Sequence, residues 1–208
     1  DYAGGLALPM AIHLGTTVRG HPTSSPEIRL TSADQPDGSR TVSYRPDDVP
    51  TEVEPAWGRY VAGVVAELGR TTAWTPGGFT GTVTSTLPIG SGLSSSAALE
   101  LAVALALGFD GSDRELAALG QRAEQTAAGV PCGAMDQLAS ACGLAGHALF
   151  IDFTTMVIEP VPMPHDDDLE IVVVHSGQER ALAGSAYAER RAALITPRTV
   201  AIAPTHVM

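Results

Sequence analysis

The chain has 208 residues, 44% hydrophobic and only 17% charged, with a formal net charge of −11 and an isoelectric point near 4.8. This composition supplies enough apolar material for one large or two small packed domains and excludes a disordered chain. With 12 basic residues against 23 acidic ones and no dense basic run, it also excludes a general nucleic-acid or anionic-membrane binder, so an anionic ligand must be held locally.

In chain order, residues 6–18 read as a buried strand interrupted by Pro9, followed by short strands near 28–30 and 41–44. Residues 55–69 carry Trp57, Val61, Val64, Val65 and Leu68 at helical spacing between Pro55 and Gly69, which predicts a core-facing helix. The threonine-rich run 78–86 alternates with Phe79, Gly81, Val83 and Ser85, a strand pattern. Strong helix formers run from Ala97 to a glycine stop at Gly108, and Ser112 opens a helix to Ala128 with a Ser-Asp-Arg-Glu capping box. A shorter helix is expected over 135–142.

Past Gly146 the pattern returns to strands at 147–152, 156–161 and 170–175, and a last helix is expected over 184–194. The acidic trio 166–168 reads as a solvated loop, because consecutive residues cannot all converge on one ion. Cys132 and Cys142 have a spacing that suits no common zinc pattern and read as free thiols of a reducing cytoplasm. No apolar helix reaches the ~20 residues of a membrane span, and no signal-peptide pattern is present.

The segment Leu87-Pro-Ile-Gly-Ser-Gly-Leu-Ser-Ser-Ser-Ala-Ala-Leu-Glu100 carries the most chemistry. Gly90 and Gly92 tolerate positive φ and allow close approach to the backbone, while Ser94, Ser95 and Ser96 supply hydroxyls. Because the turn runs into a helix N-terminus, its unpaired N–H groups and the helix dipole favour a phosphate. It matches neither the Walker pattern nor the dinucleotide fingerprint, and the same residues also suit an ordinary loop entering a helix.

Two acids downstream complete a set. Glu124 lies on the 112–128 helix, and Asp136 stands in Pro131-Cys-Gly-Ala-Met-Asp-Gln137 among small and apolar neighbours, where a carboxylate is costly unless paired or functional. Glu115, by contrast, reads as solvent-facing. Phosphoryl transfer to an alcohol needs donors around the phosphates, a metal and a carboxylate beside the attacking hydroxyl. The cradle, Ser96, Glu124 and Asp136 meet those requirements.

Four blocks resemble the galactokinase branch of the GHMP small-molecule kinases: residues 1–12, 88–100, 123–137 and 180–191. The Pro131-to-Gln137 block is the most discriminating. The resemblance implies an α+β fold, with an ATP-binding N-terminal domain over 1–165, the beginning of a second domain over 166–194, and an atypical tail over 195–208. It implies that Pro88, Gly90, Ser91, Gly92, Leu93, Ser94, Ser95 and Ser96 wrap the ATP phosphates, and that Ser96 and Glu124 hold Mg²⁺. Asp136 would take or orient the proton of galactose O1, and Asp1, Gly133, Asp136 and Tyr187 would bind sugar hydroxyls. Cys132 reads as a packing residue, since no base is supplied for a nucleophile.

The family's arginine and Glu-His pair, which precede the position of Asp1, and its C-terminal half are not in the sequence. The resemblance therefore implies a chain truncated at both ends and impaired as a catalyst. Close relatives acting on N-acetylgalactosamine, arabinose or galacturonate share these motifs, as do non-catalytic sugar- and ATP-binding sensors.

Overall fold

A computed structural model describes residues 1, 4–71, 77–88, 90–129, 131–164 and 171–174. In chain order the elements are β1 (Leu6–Ala7), β2 (Thr16–Thr23), β3 (Ile28–Ser32), β4 (Thr41–Tyr44), a 3-10 turn at Pro50–Glu52, α1 (Gly58–Thr71), β5 (Gly78–Ser85), α2 (Ser95–Ala106), α3 (Asp113–Ala128), α4 (Met135–Ala141), β6 (His147–Asp152) and β7 (Val157–Pro162). The strands form a four-stranded sheet ordered β2-β5-β3-β4 and a three-stranded sheet ordered β1-β6-β7. Among the described residues only β3 and β5 pair in parallel, with Leu30 opposite Gly81. A parallel pair needs a long crossover, and α1 supplies it.

The larger sheet is backed by helices. Ile28, Leu30 and Val42 face Val61, Val64 and Leu68 of α1, and Leu101, Val103 and Ala104 of α2 and Leu119 of α3 close the same core. Each fully buried aliphatic side chain contributes about 1.5–3 kcal/mol. The helix ends follow local chemistry. Ser112 and Glu115 form both bonds of the capping box, Gly129 takes φ 66 after α3, and Gly108 takes φ 90 after α2. After α2 the Gly108 N–H donates to Leu105 and the Phe109 N–H to Ala104, the paired bonds of a glycine-terminated helix. Helices α1 and α3 cross closely at Gly63, where a Cβ would lie 2.4 Å from the Ala123 carbonyl oxygen. That crossing carries the next residue, Glu124, inward.

Two expectations are corrected. Residues 6–18 are not one buried strand: only Leu6–Ala7 and the stretch from Thr16 pair, and Leu6 and Leu8 are 68% and 62% exposed. Pro9 has no N–H to extend the ladder, and its carbonyl alone accepts from Leu149. Of the strand expected at 170–175, the described residues 171–174 are exposed and without regular structure. β propensity is not sufficient without a neighbouring strand, and none among the described residues pairs with them. The acidic trio 166–168, the helix expected over 184–194 and the tail 195–208 lie outside the described residues. Among those described, no helix is long and apolar enough to cross a membrane.

Candidate active site

The loop between β5 and α2 alternates backbone handedness. Gly90, Gly92 and Ser94 take φ of 70, 76 and 56°, while Ser91 and Leu93 between them do not take positive φ. Backbone of alternating handedness can turn successive N–H groups toward one side, the arrangement by which a turn can accept an anion. The left-handed conformation costs a non-glycine residue about 1–3 kcal/mol, so Ser94 is held there by its surroundings. Ser91 closes the turn, donating from its N–H and hydroxyl to the Pro88 carbonyl at 3.3 and 2.7 Å.

Ser94 occupies the N-cap position of α2 but makes no side-chain cap bond. Its hydroxyl instead lies near enough to Asp136 to lower the proton affinity of that carboxyl. An ordinary loop entering a helix would use that serine as the cap; here its side chain takes none of the first N–H groups of α2. Ser95, exposed, and Ser96, half-buried, begin the helix.

Three helices meet behind the loop. The Ser96 hydroxyl donates to Glu124 Oε1 at 2.7 Å, and Gln137 of α4 donates from Nε2 to Glu124 Oε2 at 2.7 Å and to Glu100 Oε2 of α2 at 3.1 Å. Glu124 is 6% exposed, and Glu100 and Gln137 are 0%. None of the ion pairs among the described residues includes Glu100, Glu124 or Asp136. Burial raises the Asp136 carboxyl above its usual range; the nearby Ser94 hydroxyl opposes this, and Glu124 adds to it. Tyr60 of α1 faces the same carboxylates, and its phenol is raised by burial and then by Glu124 and Glu100.

The loop 131–134 is bound to α3 through the Cys132 carbonyl, which accepts from Gln121 and Gln125 at 3.2 and 3.1 Å. Burial and then Glu124 push the Cys132 thiol up, so it is not a thiolate nucleophile. Asp1 lies over this loop. Its Oδ2 accepts from the Met135 N–H at 3.3 Å, and a Cβ on residue 133 would fall 1.4 Å from that same oxygen. Gly133 is thus the residue that lets the Asp1 carboxylate reach α4.

The structure brings Pro88, Gly90, Ser91, Gly92, Leu93, Ser94, Ser95, Ser96, Glu124 and Asp136 around one loop and helix end, with Asp1 and Gly133 beside Asp136. Tyr187 lies outside the described residues. The sequence reading did not single out Glu100, Gln137 or Tyr60. Glu100 was detectable, because it shares a helical stripe with Ala97, Leu101 and Ala104, all buried.

The donor set suits magnesium. Ser96 and Glu124 offer a hydroxyl and a carboxylate with no cation paired to them, and magnesium takes oxygen ligands while keeping waters. No cluster of three acidic, histidine or cysteine ligands occurs among the described residues, so remaining positions would fall to phosphate and water.

The family model "GHMP kinases N terminal domain" matches residues 59–144. Galactokinase of Thermococcus kodakarensis is 40% identical over 93% of this chain and 54% of its own length; galactokinase of Canis lupus familiaris is 37% identical over 92% and 50%. The crystal structure of Lactococcus lactis galactokinase complexed with galactose matches with a TM-score of 0.81 at 31% identity, over 92% of this chain and 50% of that one. Methanococcus jannaschii mevalonate kinase, 23% identical with a TM-score of 0.59, shares the fold. The chain spans about half the length of the curated relatives it matches. Over residues 59–144 it matches the N-terminal domain of the GHMP kinases, and galactokinases are relatives that it resembles along nearly all of its sequence.

Proposed function

We propose that this chain carries the phosphate- and sugar-facing part of an ATP-dependent kinase that phosphorylates galactose at O1 to give α-galactose 1-phosphate. The observation that carries the reading is the loop of alternating handedness at 90–94 running into α2, where the Ser96 hydroxyl meets Glu124 at 2.7 Å and the Ser94 hydroxyl acts on the Asp136 carboxyl. The likeness to galactokinases, one of them solved with galactose, supports the choice of sugar. Residues 1–165 form the nucleotide-binding domain in this reading, 166–194 begin the next, and the two free cysteines suit a reducing cytoplasm.

The N–H groups of the loop 90–94 and of the start of α2 bind ATP phosphate oxygens, with Pro88, Ser91, Leu93 and Ser95 shaping and lining that loop. Ser96 and Glu124 hold Mg²⁺. When bound, the metal supplies charge neutralisation at the phosphate oxygens. Asp136, with its proton affinity raised by burial, is suited to accept or orient the sugar O1 proton, and the Ser94 hydroxyl tempers that affinity. Asp1 and Gly133, with Tyr187, bind sugar hydroxyls.

The test is galactose-dependent ADP release by the protein carrying this chain, with Asp136→Asn beside it. We expect the substitution to lower kcat about 10²–10⁴-fold with nucleotide affinity nearly unchanged. Equal turnover in the variant, or no ADP release with galactose, would refute the assignment. N-acetylgalactosamine, arabinose and galacturonate in the same assay identify the preferred sugar.

A further inference from the structure

Gln137 Nε2 serves two carboxylates at once, Glu124 Oε2 and Glu100 Oε2. The remaining oxygens of the Glu100–Gln137 pair, Glu100 Oε1 and Gln137 Oε1, are both buried and have no hydrogen-bond partner. Two bare acceptors on residues already joined by one hydrogen bond are what a missing proton leaves behind. An ionised Glu100 would place a second negative charge behind Glu124 with only an amide to compensate it. A proton on Glu100 Oε1 removes that charge and supplies the donor that the Gln137 carbonyl lacks. Acid and amide then form a reciprocal pair, each giving one hydrogen bond and accepting one.

We propose that Glu100 is a neutral carboxylic acid paired with the Gln137 amide, and that this pair is a positioning device holding Glu124 so that its other oxygen meets Ser96. Among the described residues, the ionisable groups around Glu100 are Glu124 on α3, Asp136 on α4, Tyr60 on α1 and Cys132 in the loop before α4, and none is a cation. Burial lifts the Glu100 carboxyl well above its usual range; Glu124 and Asp136 add to this, and the Gln137 bond opposes it. A locked amide matters at a metal site because partners behind a ligand fix its orientation. The positioning role rests on the phosphotransferase reading, whereas the acid–amide pair does not.

The two parts are tested separately. An infrared difference spectrum of the protein against Glu100→Gln at neutral pH should contain a protonated-carboxyl band; an ionised carboxylate band in its place overturns the proposal. Calorimetry with a non-hydrolysable ATP analogue, with and without Mg²⁺, reads the positioning. Glu100→Gln keeps a neutral pair with the same donor and acceptor, so its binding should stay within about twofold of the parent. Gln137→Leu should weaken the magnesium-dependent part of binding about 10–100-fold and leave magnesium-free binding unchanged. If that variant does not fold, Gln137→Asn, which draws the amide back from both acids, takes its place with the same expectation. An undiminished magnesium effect without the amide, or equal damage from Glu100→Gln, overturns the positioning role. A protonated band in a protein whose nucleotide binding ignores magnesium would support the pair and overturn the phosphotransferase reading together with the positioning role.

Discussion

Glu67 and Glu100 are buried to nearly the same depth, at 1% and 0% exposure, and the fold treats them in opposite ways. Glu67 lies between two arginines, accepting from Arg122 Nε at 2.8 Å and from Arg70, so its charge is matched where α1 meets α3. Glu100 meets an amide, a second carboxylate beyond it and, among the described residues, no cation. A compensated acid can serve as a joint between helices, whereas an uncompensated one must give up its charge or hold it at a cost. Depth alone therefore does not separate structural acids from those at a site; the partners do.

The contrast breaks most sharply at the joint. Arg122→Met leaves Glu67 with one of its two cations and should destabilise the protein by about 3 kcal/mol, read from urea midpoints. A midpoint equal to the parent's would mean that Glu67 is no joint. Gly63→Ala strikes the same α1–α3 crossing by steric means: its Cβ would lie 2.4 Å from a backbone oxygen, and overpacking of this kind costs about 1–3 kcal/mol. The magnesium effect on nucleotide binding should fall as well, because Glu124 rides on that crossing.

Glu100 sharpens the contrast through pH. Its folded-state proton affinity is raised, so the native chain keeps a proton that the unfolded chain releases above the ordinary value of 4.5. Stability from this group is complete below that value and is lost as pH rises toward the folded-state value, at about 1.4 kcal/mol per pH unit across the window. Glu100→Gln should remove this slope; stability curves of unchanged slope would show that Glu100 is ionised in the fold. The smallest effect belongs to a control distant in character from both glutamates. Ser112→Ala deletes the exposed cap of α3 and should cost about 1 kcal/mol in thermal melts without altering nucleotide affinity.

Much of the fold was legible where the deciding forces are local. The Ser112–Glu115 capping box, the glycine ends of α2 and α3 and the alternation in β5 act within a few residues of chain. The turn before α2 was legible for the same reason, since Gly90 and Gly92 can take positive φ where most residues resist it. The errors fell where the outcome depends on neighbours. Residues 6–18 are apolar enough for a buried strand, but Pro9 and the edge position of β1 leave Leu6 and Leu8 exposed. Ser94 had the identity and place of a cap, but its side chain makes no cap bond and instead acts on the carboxyl of an acid 42 positions later.

The sequence by itself determined the helix ends, the glycine turn and the residue types able to meet phosphate, metal and sugar, because these are consequences of backbone sterics and side-chain chemistry within short spans. Only the tertiary structure decided that Ser96, Glu100, Glu124 and Gln137 form one hydrogen-bonded line. Its members come from three helices, and the charge state of each depends on how far packing removes it from water and on what it faces there.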